Sequence, residues 1–203
     1  MISNDKWSLK CPYTMEPEFV VIHNTANDAS AENEVSYMEN SNSQTSFHYA
    51  VDDKTVIQAI PLNRNSWHAG DGISGTGNRK GISIEICYSL SGGEKFRMAE
   101  KNAAKLTADL LKKYDWGINK VKKHQDFSGK YCPHRTIDLG WDRFIKMVEG
   151  FMFTELTSVN DIVWELSERG IISDKELWLK KLKSDEDAYW LGRKCVNYIR
   201  EKE

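Results

Sequence analysis

The spacing of apolar and polar positions divides the chain into short, readable elements. EFVVIH, residues 18–23, is a β-branched apolar run of the kind that forms a buried central strand, and it ends on His23. AENEVSYMENS places Ala31, Val35 and Met38 at helical spacing. FHYAVDDKTVIQAI predicts a hairpin: Phe47, Tyr49 and Val51 share a face, Asp52 and Asp53 turn the chain, and 56–60 return. In ISIEICY, Ile82, Ile84, Ile86 and Tyr88 alternate with Ser83, Glu85 and Cys87. A carboxylate between two small residues on a strand face suits a groove better than a core. MAEKNAAKLTADLLKKY is amphipathic, with Ala99, Ala103, Leu106 and Leu110 as its buried stripe and lysines at the dipole's negative end. A further helix is predicted around 141–148. Strands interspersed with helices predict an α/β fold, a sheet flanked by helices.

Two stretches interrupt this pattern. NSWHAGDGISGTGNRKG is Gly-rich and polar and predicts a long loop, which in a compact domain is usually functional. From Phe153 onward three short helical stripes follow. The first carries Val159, Ile162, Val163 and Leu166, with Ser158 at its N-cap and Gly170 at its end. SDKE at 173–176 predicts a capping box for the second. The third puts Ala188, Leu191, Cys195 and Ile199 on one face. The expected organisation is a domain over 1–152 and a small three-helix domain over 153–203. So small a helical unit needs a partner surface, either the first domain or a second copy of itself. Its aromatic residues, Trp164, Trp178, Tyr189, Trp190 and Tyr198, are expected to split between core and a ligand-binding surface.

Composition removes several classes. With 28 basic and 30 acidic side chains, the net charge of −2 offers no nucleic-acid stripe and no basic membrane face. No uncharged apolar run reaches the roughly 18 residues of a membrane helix. MISNDKWSLKCPYTM lacks the apolar core of a secretory signal, so the expectation is synthesis in the cytoplasm and release by another route. The cysteines show no paired spacing, and Cys87 and Cys195 are expected to be small buried hydrophobes.

The chemistry concentrates in HQDFSGKYCPHR, residues 124–135. It holds two of only five histidines and one of four cysteines, on an irregular segment broken by Gly129 and Pro133. It reads either as a busy surface turn or as half of a metal site. Zinc takes imidazole and thiolate, and a catalytic zinc keeps three protein ligands and one open position. His23, His124 and Cys132 could supply three. No CxxC or HExxH pattern is present, and spacing alone does not choose the ligands.

VVIHNTA, SFHYAVDD, SWHAGDG, GNRKGISIEIC and HQDFSGKYCPHR resemble, in that order, motifs of the zinc-dependent N-acetylmuramoyl-L-alanine amidases. These are similar to phage endolysins and animal peptidoglycan recognition proteins. The resemblance spans about 10–150. It implies a mixed central β-sheet with a zinc-floored groove, and one Zn2+ held by His23, His124 and Cys132. It also implies a catalytic Lys130 facing the scissile amide and a catalytic Glu85 that activates water. Relatives often carry a tyrosine where this chain has Phe47, which has no hydroxyl, so the base role falls more firmly on Glu85. The implied reaction is hydrolysis of the bond between N-acetylmuramic acid and L-alanine in Gram-positive peptidoglycan, by a phage or prophage endolysin.

Substrate-contacting roles are expected for His48, Trp67, His68, Asn78 and Arg79, each weighed against plain packing or a solvated charge. His134 could compete as a ligand. Three rival readings remain: a cytosolic muropeptide-recycling amidase, a peptidoglycan-binding module without catalysis, and a structural zinc site, which would want a fourth side-chain ligand.

Overall fold

The computed structural model describes residues 1–153 and 158–202; Thr157, at the start of the first predicted C-terminal helix, lies outside them. Two compact units are present, Met1–Glu149 and Gly150–Glu203.

The first unit is built on a five-stranded sheet. Its strands are β1 (Phe19–Asn24), β2 (Tyr49–Val51), β3 (Val56–Gln58), β4 (Gly81–Ile86) and β5 (Val121–Lys123). The spatial order is β3-β2-β4-β1-β5. Only β3 runs antiparallel, against β2, so the sheet is mixed. The helices of this stretch of chain are α1 (Trp7–Lys10), α2 (Ala31–Asn40), α3 (Thr76–Lys80), α4 (Gly93–Lys113), α5 (Gln125–Ser128), α6 (His134–Asp138) and α7 (Trp141–Phe153).

The central strand β1 is nearly all buried, as a strand with neighbours on both edges and helices on its faces must be. The predicted helix at 31–40 forms because Ser30 caps it, accepting from Asn33 N at 3.3 Å. Asp52 then ties two elements together. Its Oδ1 accepts from Lys54 N and Thr55 N in the hairpin turn, and its Oδ2 from Ala31 N at the start of α2. Ala31 and Met38 of α2 pack into a core with Phe47, Ala50, Ile60 and Cys87. Phe47, at the position where relatives often place tyrosine, is core. The long helix α4 packs on β4 and β2 and buries Phe96, Ala99, Ala103, Leu110 and Leu111.

Local structure appears where the sequence predicts plain loop. Within the Gly-rich stretch, Asp71 accepts from Gly77 N at 2.6 Å and Asn78 N at 3.2 Å, and these bonds start α3. The crowded segment at 124–135 contains α5 and the start of α6. Such one-turn helices carry too few apolar positions to leave a periodic trace.

The second unit holds α8 (Val159–Glu168), α9 (Lys175–Ser184) and α10 (Glu186–Lys202). Ser158 and Asp161 form a full capping box on α8. The cap of α9 is Asp174, which accepts from Leu177 N at 2.9 Å, one residue beyond the predicted box. Ile162, Val163, Leu166, Ile172, Leu182 and Val196 form the core, with Trp178, Ala188 and Tyr189 against it. The predicted stripe on α10 is corrected: Leu191 is 69% exposed and Cys195 is exposed, not buried. A Cβ on Gly192 would stand 3.0 Å from Ile162 Cγ2, so α10 approaches through its glycine and turns its larger neighbours outward. Cys11 and Cys87 are buried free thiols. Among the described residues no helix is long and apolar enough to cross a membrane.

His48, fully buried, knits β2 to β4. Its Nε2 donates to Arg64 O at 2.9 Å, while Nδ1 accepts from Ser83 N at 3.1 Å and lies 3.0 Å from Ser83 Oγ. Protonating Nδ1 would aim a donor at a donor. Burial lowers the His48 pKa from 6.5 to about 4, against the opposing backbone bond to Arg64. A depressed folded pKa contributes stability that is complete above about pH 6.5 and is lost as pH falls toward about 4, on the order of 3 kcal/mol. Thermal unfolding across that window should fall less steeply in His48→Gln than in the parent; parallel slopes would remove His48 from the acid response.

Candidate metal centre

The parallel register brings three carboxyl-terminal strand ends together. His23 pairs with Glu85 across β1 and β4, and Ile22 with Lys123 across β1 and β5. His124 follows β5 directly, its N donating to Ile22 O at 3.3 Å. Side chains in register on parallel strands share a face, so His23, Glu85 and His124 project to one side. Ligand sites in open α/β sheets gather at this end of the strands.

Cys132 arrives from an irregular segment. After α5, Gly129 adopts φ +75°, a left-handed conformation that glycine tolerates, and reverses the chain. Gln125 N then donates to Cys132 O at 2.9 Å, which closes the loop and returns the thiol beside His124. Asn24, buried at the end of β1, fixes the other side. Its Oδ1 accepts from Arg135 N at 2.9 Å and Thr136 N at 3.2 Å, and its Nδ2 donates to Thr136 Oγ1 and His23 O. The turn carrying Cys132 is thus fastened to the strand carrying His23. Sequence reasoning missed Asn24; the available signal was a polar side chain closing an otherwise apolar strand.

One nitrogen from each of His23 and His124 and the Cys132 sulfur lie within 4.8 Å of one another, all buried. His23 Nδ1 is 3.9 Å from Cys132 Sγ and 3.9 Å from Glu85 Oε1. His124 Nδ1 and Glu85 Oε2 are buried without hydrogen-bond partners. An orphaned buried imidazole nitrogen is costly unless something binds it. Two imidazoles and a thiolate are also the donors zinc takes, at bonds of about 2.0–2.3 Å. The residues fit a metal ion.

The electrostatics agree. Burial drives the His23 pKa well below its ordinary value, helped by His68, His124 and Lys130. Burial and Lys130 lower His124, while a backbone hydrogen bond with Ala69 opposes them. Both rings are therefore neutral and able to ligate. Burial lifts the Cys132 thiol to about 11 and Glu85 to about 8, in Glu85 with help from Glu34 and against Lys130. Lys130 is exposed, and its charge is felt at all four groups.

The remaining expected residues lie outside the donor group, and His68 alone among them touches it. His134 turns to Ser89 O at 3.4 Å, outside the donor group. His48 is enclosed between β2 and β4. His68 is buried, with Nδ1 2.9 Å from His23 Nε2. Trp67 packs edge-on to Tyr13 at 5.9 Å, and the Arg79 guanidinium lies 4.2 Å from the Tyr13 ring centre. Asn78 is buried, its Oδ1 accepting from His68 N and Ala69 N.

Residues 13–135 match the family model described as N-acetylmuramoyl-L-alanine amidase. The chain is 62% identical over 140 residues to the N-acetylmuramoyl-L-alanine amidase CwlA of Bacillus subtilis, covering 69% of this chain and 52% of that protein. The solved PlyG catalytic domain superposes with a TM-score of 0.72 at 51% identity, covering 78% of this chain and 95% of that one. A mutant endolysin from Bacillus subtilis superposes at 0.64 with 40% identity, covering 69% and 91%. The chain spans about half the length of the curated relatives it matches.

Asn24→Ala should destabilise the fold by about 1–3 kcal/mol, because it strands buried backbone donors at the start of α6. Denaturant unfolding reads this directly, and an unchanged midpoint would show that the Asn24 bonds do not hold the turn.

Proposed function

The chain belongs to the N-acetylmuramoyl-L-alanine amidase family, and from that premise we propose that it hydrolyses the amide between N-acetylmuramic acid and the L-alanine of the stem peptide, using one Zn2+ held by His23, His124 and Cys132. The observation that carries this reading is the buried three-donor group with a carboxylate 3.9 Å from a ligand nitrogen. Three side-chain ligands leave one position for reaction, whereas a structural zinc would call for four.

When bound, zinc supplies a Lewis acid that makes water a competent nucleophile near neutral pH. Glu85 does the proton work. Its carboxylate takes a proton from the attacking water and returns it to the amide nitrogen as the carbon–nitrogen bond breaks. A neighbouring dication favours the ionised carboxylate that this role needs, against the upward push of burial. Lys130, whose charge is felt at His23, Glu85, His124 and Cys132, would supply positive charge where negative charge grows on the carbonyl oxygen. Removing one such stabiliser typically costs about 10²–10³ in rate. Glu85 and Lys130 together favour catalysis over a peptidoglycan-binding module, which would need neither.

The likeness to an endolysin supports action on the Gram-positive wall after release from the cell, in preference to recycling of soluble muropeptides in the cytoplasm. The second unit would anchor the enzyme to the wall or pair two copies; Trp190, 47% exposed, is available for either role.

Purified protein should carry about one zinc per chain and release new L-alanine amino termini from Gram-positive walls. New reducing sugars in place of amino termini would overturn the bond assignment. Glu85→Ala should keep the metal and lose about 10²–10⁴ of the rate; full activity would take Glu85 out of the mechanism. Equal rates on intact walls for the full chain and for a form ending near Gly150 would remove the anchoring role.

A further inference from the structure

The Gly-rich loop at 66–78 held most of the expected substrate contacts, yet Ser66, His68 and Asn78 are buried in it. His68 is 8% exposed, and its ring stands edge-on to that of His23, with centroids 5.0 Å apart and planes at 83°. The two rings meet through His68 Nδ1 and His23 Nε2, 2.9 Å apart. A neutral imidazole carries one N–H, so only one of these nitrogens donates. If His68 donated, the His23 proton would sit on Nδ1, the nitrogen that faces Cys132 and Glu85, and no lone pair would point at the donor group. A His23 lone pair aimed at the donor group therefore requires the opposite arrangement, with His68 Nδ1 as the acceptor and the His68 proton on Nε2, a nitrogen buried without a hydrogen-bond partner. His23 then donates from Nε2 and presents Nδ1 to the metal.

One side chain fixes the backbone that carries this contact. Asn78 Oδ1 accepts from His68 N and Ala69 N, each at 2.8 Å, while Asn78 Nδ2 donates to Gly72 O at 3.1 Å. The packing is tight: a Cβ on Gly77 would stand 2.5 Å from Ala69 Cβ, and one on Gly70 would stand 3.7 Å from His124 Nε2.

We propose that this loop is a clamp around the metal ligands, in which His68 is a positioning residue that sets the ring orientation and tautomer of His23. The inference rests on the reading that His23, His124 and Cys132 hold zinc. It gives the loop a role that a substrate wall would not: control of metal affinity in the absence of any substrate.

The test measures Zn2+ affinity on the full chain by competition with a chromophoric chelator, and the thiolate-to-cobalt absorption band after Co2+ substitution. Three variants separate chemistry from packing. His68→Leu removes the acceptor, His68→Asn keeps an oxygen at the Nδ1 position, and His68→Gln moves it to the Nε2 position. The Leu and Gln variants should lose about 10–100-fold in zinc affinity, as lost bracing of a ligand typically does, and should alter the cobalt band. The Asn variant should stay near the parent. If His68→Leu fails to fold, the Asn and Gln pair still decides, because a purely packing role is indifferent to where the amide oxygen sits. Asn and Gln weakened alike, or Leu binding as tightly as the parent, would overturn the clamp. A parent that binds no stoichiometric zinc would instead overturn the metal site beneath it.

Discussion

Two donors and the carboxylate beside them can meet at one point only if strands β4, β1 and β5 keep a single register. His23 sits across from Glu85, and His124 begins one residue past the Ile22–Lys123 pair. Side chains alternate with a period of two along a strand. A slip of one residue in β1 would send His23 into the opposite face and bring Ile22 or Asn24 into the groove. The apolar positions that fill the two faces of the sheet therefore set the metal geometry as well as the fold. Val20 and Ile22 are fully buried on one face and Val21 on the other, so no slipped register buries the same side chains.

The fold's main elements were legible because each leaves a periodic trace: the alternation of 82–88, the stripe of α2, the long amphipathic face of α4. The pairing of His23, His124 and Cys132 was not, since residues separated by a hundred positions carry no mutual period. Ordered motifs supplied that grouping. What stayed hidden has a common physical form. Asn24, Asp71 and Asn78 act through side-chain bonds to backbone groups, which organise irregular chain without hydrophobic periodicity. On α10 the periodic template itself misled. It rewarded Leu191 and Cys195 for being apolar, while close approach depended on Gly192, which has no side chain to count.

Dryness shapes the site's charge. Burial depresses both histidines and raises both the thiol and Glu85, so every group moves toward its neutral form. A pocket holding bare charges in that setting would be strongly destabilising. Neutral imidazoles are already ligands, but a thiol is not. Cys132 would lose its proton on coordination, so metal uptake would carry a proton release. A metal–sulfur bond would then offset the cost of holding a thiolate in this dry setting, with Lys130 adding a positive field from the solvent side.

The loop at 66–78 carries the same logic outward. Imidazole rings at strand ends can rotate about two bonds, and each rotation removes a lone pair from the metal. Packing alone fixes a ring's plane but does not distinguish its two nitrogens. Hydrogen bonds do, because a nitrogen that donates cannot coordinate. In this chain His68 would make that distinction for His23, because its Nδ1 lies 2.9 Å from His23 Nε2. A side-chain acceptor, unlike a main-chain carbonyl, can be exchanged by substitution, so the bracing of His23 is open to test at His68.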